Sequence, residues 1–150
     1  MTETKAEGAT LTLTHHADAP VARIFQAFTD AAELHKWFGH ESFTVESVDM
    51  DARAGGDYRI AIRSPEDELF VVKGVIQRLN EPELIEYTWS WEEDDAADEH
   101  ESLVTITFSD SGGGTDIELV HTQLASDESA GRHNEGWTSC LSSLDQYLSN

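Results

Sequence analysis

Two histidines, His121 closing a strand-like alternation and His133 on an apolar helical face, are the polar residues of this chain placed where chemistry could be done. A neutral imidazole can hydrogen-bond a phenol or carbonyl, and a group that titrates near pH 6.5 can act as a general acid or base. No Asp or Glu stands at a spacing that obviously orients either ring, so both also fit buried histidines satisfied by their neighbours. The pattern therefore supports no catalytic assignment. The single Cys140 can form no internal disulfide, and its place on the same apolar face reads as a small buried residue rather than a nucleophile. His15 and His16 are adjacent, which on a strand points them to opposite faces, and no His-x-x-x-His or Cys-x-x-Cys spacing exists. The acidic run from Glu92 to Glu101 lacks the glycine and alternating ligands of a calcium-binding loop, and no Gly-Lys-Ser/Thr follows Gly112-Gly113-Gly114. Neither a metal nor a cofactor is expected.

Aromatic residues carry the stronger signal. Tyr58, Ile60 and Ile62 alternate with polar residues, as do Tyr87, Trp89 and Trp91, so large rings share one face of neighbouring strands. Trp137 and Leu141 face them from a helix. Such a surface suits a planar hydrophobic ligand, although the same rings could simply fill a core. Taken as a set, Trp37, Phe38, Tyr58, Ile60, Ile62, Tyr87, Trp89, Trp91, His121, His133, Trp137 and Leu141 form the expected ligand-binding surface. Trp37 and Phe38 stand at its entrance, and one or two polar contacts from Tyr58, His121 or His133 would fix the ligand's orientation.

These residues need elements to position them. Thr10-Leu11-Thr12-Leu13-Thr14-His15 alternates as a half-buried strand with Leu11 and Leu13 inward. Pro20 opens a short helix carrying Val21, Ile24, Phe25 and Phe28, and Asp30 with Glu33 resembles a capping box that starts a second. From about Phe43 six strands fit between the turn signals Gly55-Gly56, Ser64-Pro65, Asn80-Glu81-Pro82, the acidic loop and the glycine triplet. Ala130, His133, Trp137, Cys140, Leu141, Leu144 and Leu148 then recur at helical spacing to the end of the chain. Gly131 and Gly136 inside this helix each cost about 1 kcal/mol relative to Ala, which suggests close approach or free space beside Trp137. An antiparallel meander with one buried face, covered by this long helix, is the expected architecture.

The 150 residues read as one domain, 1–150, with residues 1–9 a flexible N-terminal segment. Thirty acidic residues against nine basic give a formal charge of −21, which repels nucleic acid and anionic membrane. The acids are dispersed and Lys occurs only at positions 5, 36 and 73, as in proteins of salt-rich cytoplasm. No apolar run approaches a membrane span, and a cytoplasmic location is the expectation.

The order strand, two short helices, six strands, long helix resembles the helix-grip fold of the START-like superfamily (SRPBCC, birch-pollen-allergen-like). Phe25-Gln-Ala-Phe-Thr-Asp30 with Trp37-Phe38, Asp51-Ala-Arg-Ala-Gly-Gly-Asp-Tyr-Arg59, Leu84-Ile-Glu-Tyr-Thr-Trp89, Gly112-Gly-Gly-Thr115 with Leu119-Val-His121, and Gly136-Trp137 are similar to the family named for its homology to the activator of the heat-shock protein 90 ATPase. The likeness covers nearly the whole chain from about Leu11. It implies an α+β fold, a curved antiparallel sheet of about seven strands wrapped around the C-terminal helix, with an apolar ligand held between them. Two other functions follow from the resemblance: an enzyme of the cyclase or dehydratase type using His121 or His133 as acid or base, and a chaperone-ATPase-activating or other protein-interaction module. The long acidic loop after Trp91 departs from the family pattern and could alter the cavity entrance or merely solvate a hairpin. The sequence fixes neither a protein partner nor an oligomeric state.

Overall fold

The computed structural model describes residues 2–7, 10–39, 42–95 and 99–149. The elements in order are β1 (Thr2–Glu7), β2 (Thr10–Ala17), α1 (Val21–Thr29), α2 (Ala31–Trp37), β3 (Thr44–Met50), β4 (Asp57–Arg63), β5 (Leu69–Asn80), β6 (Leu84–Trp91), β7 (Ser102–Ser111), β8 (Gly114–Thr122) and α3 (Asp127–Leu148). Every strand pairing is antiparallel, in the order β1-β2-β8-β7-β6-β5-β4-β3. The architecture is the expected α+β helix grip. An eighth strand is added by β1, which pairs with β2 in the segment read from sequence as a flexible N-terminal stretch.

Period-two alternation sets the faces. On β2, Leu11, Leu13, His15 and Ala17 are buried while the residues between them are wetter. On β7 and β8, Val104, Ile106, Phe108, Ile117, Leu119 and His121 line the inner face, as their alternation predicts. Gly74 on β5 pairs with Tyr58 on β4, and a Cβ at position 74 would lie 2.0 Å from the Thr88 carbonyl oxygen and 2.7 Å from the Tyr58 ring. Only glycine lets the Tyr58 ring cross there to donate its hydroxyl to the Thr88 carbonyl.

The helices close the open face. Asp30 caps α2 by accepting from the amides of Ala32 at 2.9 Å and Glu33 at 3.2 Å. The reciprocal half of the expected capping box is not made. The Glu33 carboxylate instead accepts from Arg23 at 2.6 Å and from the Tyr147 hydroxyl at 2.9 Å, while the Asp30 amide bonds to Gln26 O. Glu33 thereby ties α1, α2 and the last turn of α3 together, a longer-range use of the carboxylate than local spacing reveals. Helix α3 is capped by Ser126 and carries Asp127 and Glu128 in its first turn, where acidic side chains complement the helix dipole. It buries Ala130, Trp137, Cys140, Leu141 and Leu144, with His133 and Leu148 partly covered. Gly131 faces open space, so its lack of a side chain serves no close approach. No described helix is long and apolar enough to cross a membrane.

Candidate functional site

Along its N-terminal half α3 stands over the ends of β4, β5 and β6 and leaves a cleft of about 480 Å³. Six of the twelve residues expected from sequence line it: Phe38, Ile62, Trp89, Trp91, His133 and Trp137. The rest lie elsewhere. Trp37 packs on Phe28 with ring centroids 4.9 Å apart and donates its indole N–H to Ala27 O, so the core holds it and Phe38 alone reaches the cleft. Tyr58, Ile60, Tyr87, His121 and Leu141 are buried outside the lining. The aromatic face is nonetheless continuous: Tyr58 meets Tyr87 at 4.9 Å, Tyr87 stacks on Trp89 at 6.3 Å, and Trp89 meets Trp137 at 4.9 Å.

Two histidine–tryptophan clusters join this face to α3. Trp137 donates its indole N–H to Nδ1 of His121 at 3.1 Å. An indole nitrogen only donates, so the neutral His121 ring carries its proton on Nε2, which donates to Ser102 Oγ at 2.7 Å; the Ser102 hydroxyl in turn donates to Trp89 O at 3.0 Å. His133 has the opposite tautomer. Its Nδ1–H donates to Ser129 O at 2.8 Å, and its Nε2 accepts from Trp91 at 3.1 Å and Trp89 at 3.3 Å. The two rings lie 4.8 Å apart. Burial pushes His121 down to about 2, helped by the neighbouring His133; burial also lowers His133, against the opposing pull of its bond to Ser129.

The basic nitrogen of each histidine is thus already occupied by an indole N–H. A general base must present a lone pair to its substrate, and neither ring does so in this arrangement. Burial raises the Tyr58 and Tyr87 hydroxyls above the ordinary phenol range, and it pushes the Cys140 thiol up to about 12. Tyr58 has its own hydroxyl committed to Thr88. The thiol is protonated at neutral pH and is a poor nucleophile. Among the described residues no group of three or more His, Cys, Asp or Glu is placed to hold a metal ion.

Sequence reasoning missed part of the lining. Phe43 and Phe70 lie at the rim, 6.0 Å apart, and Phe70 meets Trp91 edge-on at 6.4 Å. Phe70 sits opposite Ile62 across the β4–β5 ladder, a pairing that would have found it had the register been known. Glu92, Glu93 and His100, from the described flanks of the acidic segment, belong to the cleft wall. Arg59 holds Glu92 through two bonds of 3.0 and 3.2 Å, keeping its carboxyl below the usual carboxylate range, and Lys73 holds Glu99 at 2.9 Å. A second, smaller cleft of about 330 Å³ between α2 and α3 is lined by His35, Lys36, Trp37 and Gln146 among others.

The family model described as Activator of Hsp90 ATPase homolog 1-like protein matches residues 18–149. Solved structures resemble the whole fold. Protein Ms6760 from Mycobacterium smegmatis is 29% identical with a TM-score of 0.84, covering 97% of this chain and 95% of its own. CV1439 from Chromobacterium violaceum is 27% identical with a TM-score of 0.85, covering 95% and 98%. The AHSA1 protein from Silicibacter pomeroyi is 29% identical with a TM-score of 0.83, covering 94% and 98%. No curated protein matches the chain.

Proposed function

The chain belongs to the family of Activator of Hsp90 ATPase homolog 1-like proteins, and from that premise we propose that it is a binding protein that holds a small apolar or aromatic molecule in the cleft between α3 and the sheet. The observation that carries this reading is the roughly 480 Å³ cleft walled by Phe38, Trp89, Trp91 and Trp137. Its size falls in the range of about 300–1,000 Å³ that small-molecule sites occupy, and an apolar lining with a few polar groups is their usual composition. Each 100 Å² of apolar ligand surface taken from water contributes about 2.5 kcal/mol before the costs of association. Binding rather than turnover is favoured because both histidines have their basic nitrogens engaged by indoles.

A thermal-shift and tryptophan-fluorescence screen against flavonoid, polyketide, sterol-like and lipid compounds tests the reading. Saturable quenching of Trp89, Trp91 and Trp137 with a rise in Tm is the expected result. A panel in which no compound moves either signal overturns it and brings forward a protein-interaction role.

A further inference from the structure

The cleft's hydrogen-bonding state narrows the ligand class. Three indoles line it, yet all three indole N–H groups are spent inside the protein, Trp89 and Trp91 on His133 and Trp137 on His121. The imidazole N–H of His133 goes to Ser129 O and that of His100 to Gln123 O. A ligand carboxylate or phosphate entering the cleft therefore meets no indole or imidazole donor. The one Lys or Arg among the described lining residues, Arg132, is held by Glu128 at 3.1 Å.

What the walls do present is aromatic planes in several directions. Trp89 and Trp91 meet at 89° with centroids 5.6 Å apart, Phe70 and Trp91 at 84°, and Phe38 and Trp137 at 90°. These are edge-to-face packings, and the aromatic surface they leave along the cleft is of the kind whose π faces attract a positive charge. Two acidic residues line the same cleft, Glu93 and the Arg59-held Glu92, and the whole chain carries a net charge of −21 that raises the local concentration of cations. An anionic apolar guest such as a fatty acid would meet the acidic field of the chain, with Arg132, already paired with Glu128, as the one lysine or arginine among the described lining residues.

We propose that the guest of this cleft is an organic cation: a flat or bulky apolar group bearing a quaternary or delocalised positive nitrogen, seated among Trp89, Trp91 and Trp137 with Glu93 at the entrance. The proposal rests on the binding reading above and specifies the class of molecule that site takes.

The test is calorimetric titration of the full chain with three probes of nearly equal shape: naphthylmethyl-trimethylammonium, naphthalenemethanol and naphthoate. Each is measured at about 0.1 M and about 2 M salt, since molar salt screens the long-range field of the surface charge and leaves contacts inside the cleft. The expected result is that the ammonium probe binds at least about tenfold more tightly than the alcohol, keeps a several-fold advantage at high salt, and loses part of it in the Glu93→Gln variant. Equal binding of ammonium and alcohol, or tighter binding of naphthoate, overturns the cation assignment while leaving an apolar site in place. An advantage that vanishes at high salt also overturns it, because the surface field alone would then explain the preference. Failure of all three probes to bind overturns both the cation assignment and the binding reading.

Discussion

Trp137 and His121 form a one-way hydrogen bond: the indole donates, the imidazole accepts, and the 3.1 Å contact fixes which nitrogen of His121 carries the proton. Protonating the accepting nitrogen would set N–H against N–H at a site with no exposed surface on His121. Burial, helped by the neighbouring His133, holds the ring neutral down to about 2. The histidine that sequence analysis offered as a proton carrier serves as a fixed acceptor on which α3 is docked to β8.

That relationship has a pH signature. The folded-state value of His121 lies far below the unfolded value of about 6.5, so its contribution to stability is complete above pH 6.5 and is lost as pH falls toward 2. Between pH 6.5 and 5 the loss amounts to about 2 kcal/mol, with a further loss of the same sign from His133. His16, raised by its bond to Asp116, acts in the opposite direction. Denaturant unfolding across this range should show a steeper decline for the wild type than for His121→Gln, and two-dimensional imidazole ¹⁵N spectra should show His121 protonated on Nε2 and untitrated to pH 4.

Truncating the donor separates the bond from the bulk it carries. Trp137→Phe keeps most of the ring but strands the buried His121 Nδ1, at a cost of about 1–3 kcal/mol. Trp137→Ala adds a cavity and should cost about 3–5 kcal/mol. Chemical denaturation of the two variants measures the difference.

Two glycine substitutions should move stability in opposite directions. Gly74→Ala drives a methyl into the Thr88 carbonyl and the Tyr58 ring, and overpacking against backbone costs about 1–3 kcal/mol or more. Gly131→Ala meets nothing within 4 Å in α3 and should stabilise by up to about 1 kcal/mol. Thermal melts of the pair check both signs.

Salt should stabilise the fold. Thirty acidic residues against nine basic repel one another in the compact chain, and ionic strength screens that repulsion. The Tm is expected to rise from dilute buffer to molar salt; a flat profile would remove the inference of a surface suited to high salt.

The inner faces of β2, β4, β6, β7 and β8, and the buried stripe of α3, could be read from the sequence because alternation and helical periodicity are local and each has one dry side. Strand β5 could not. The unbroken apolar run Leu69-Phe70-Val71-Val72 carries no period of two, which hides Phe70 from any face assignment. Asp30 was legible as a cap, but the destination of Glu33 depended on Arg23 and on Tyr147 from the far end of the chain. Half of the expected ligand surface proved to be packed core for a similar reason. Inward direction is written in the pattern, whereas depth depends on how far α3 stands from each strand.

Helix α3 runs close to β1, β2 and α2, and over the opposite arm of the sheet the gap is bridged by side chains. The rim residues Phe43 and Phe70 stand on that wider side, where Phe70 is exposed and Phe43 only partly buried. The scaffold is therefore evolvable at its mouth: descendants of such a chain can vary those rim residues while inheriting the same junction of indole and imidazole that seats α3 on the sheet.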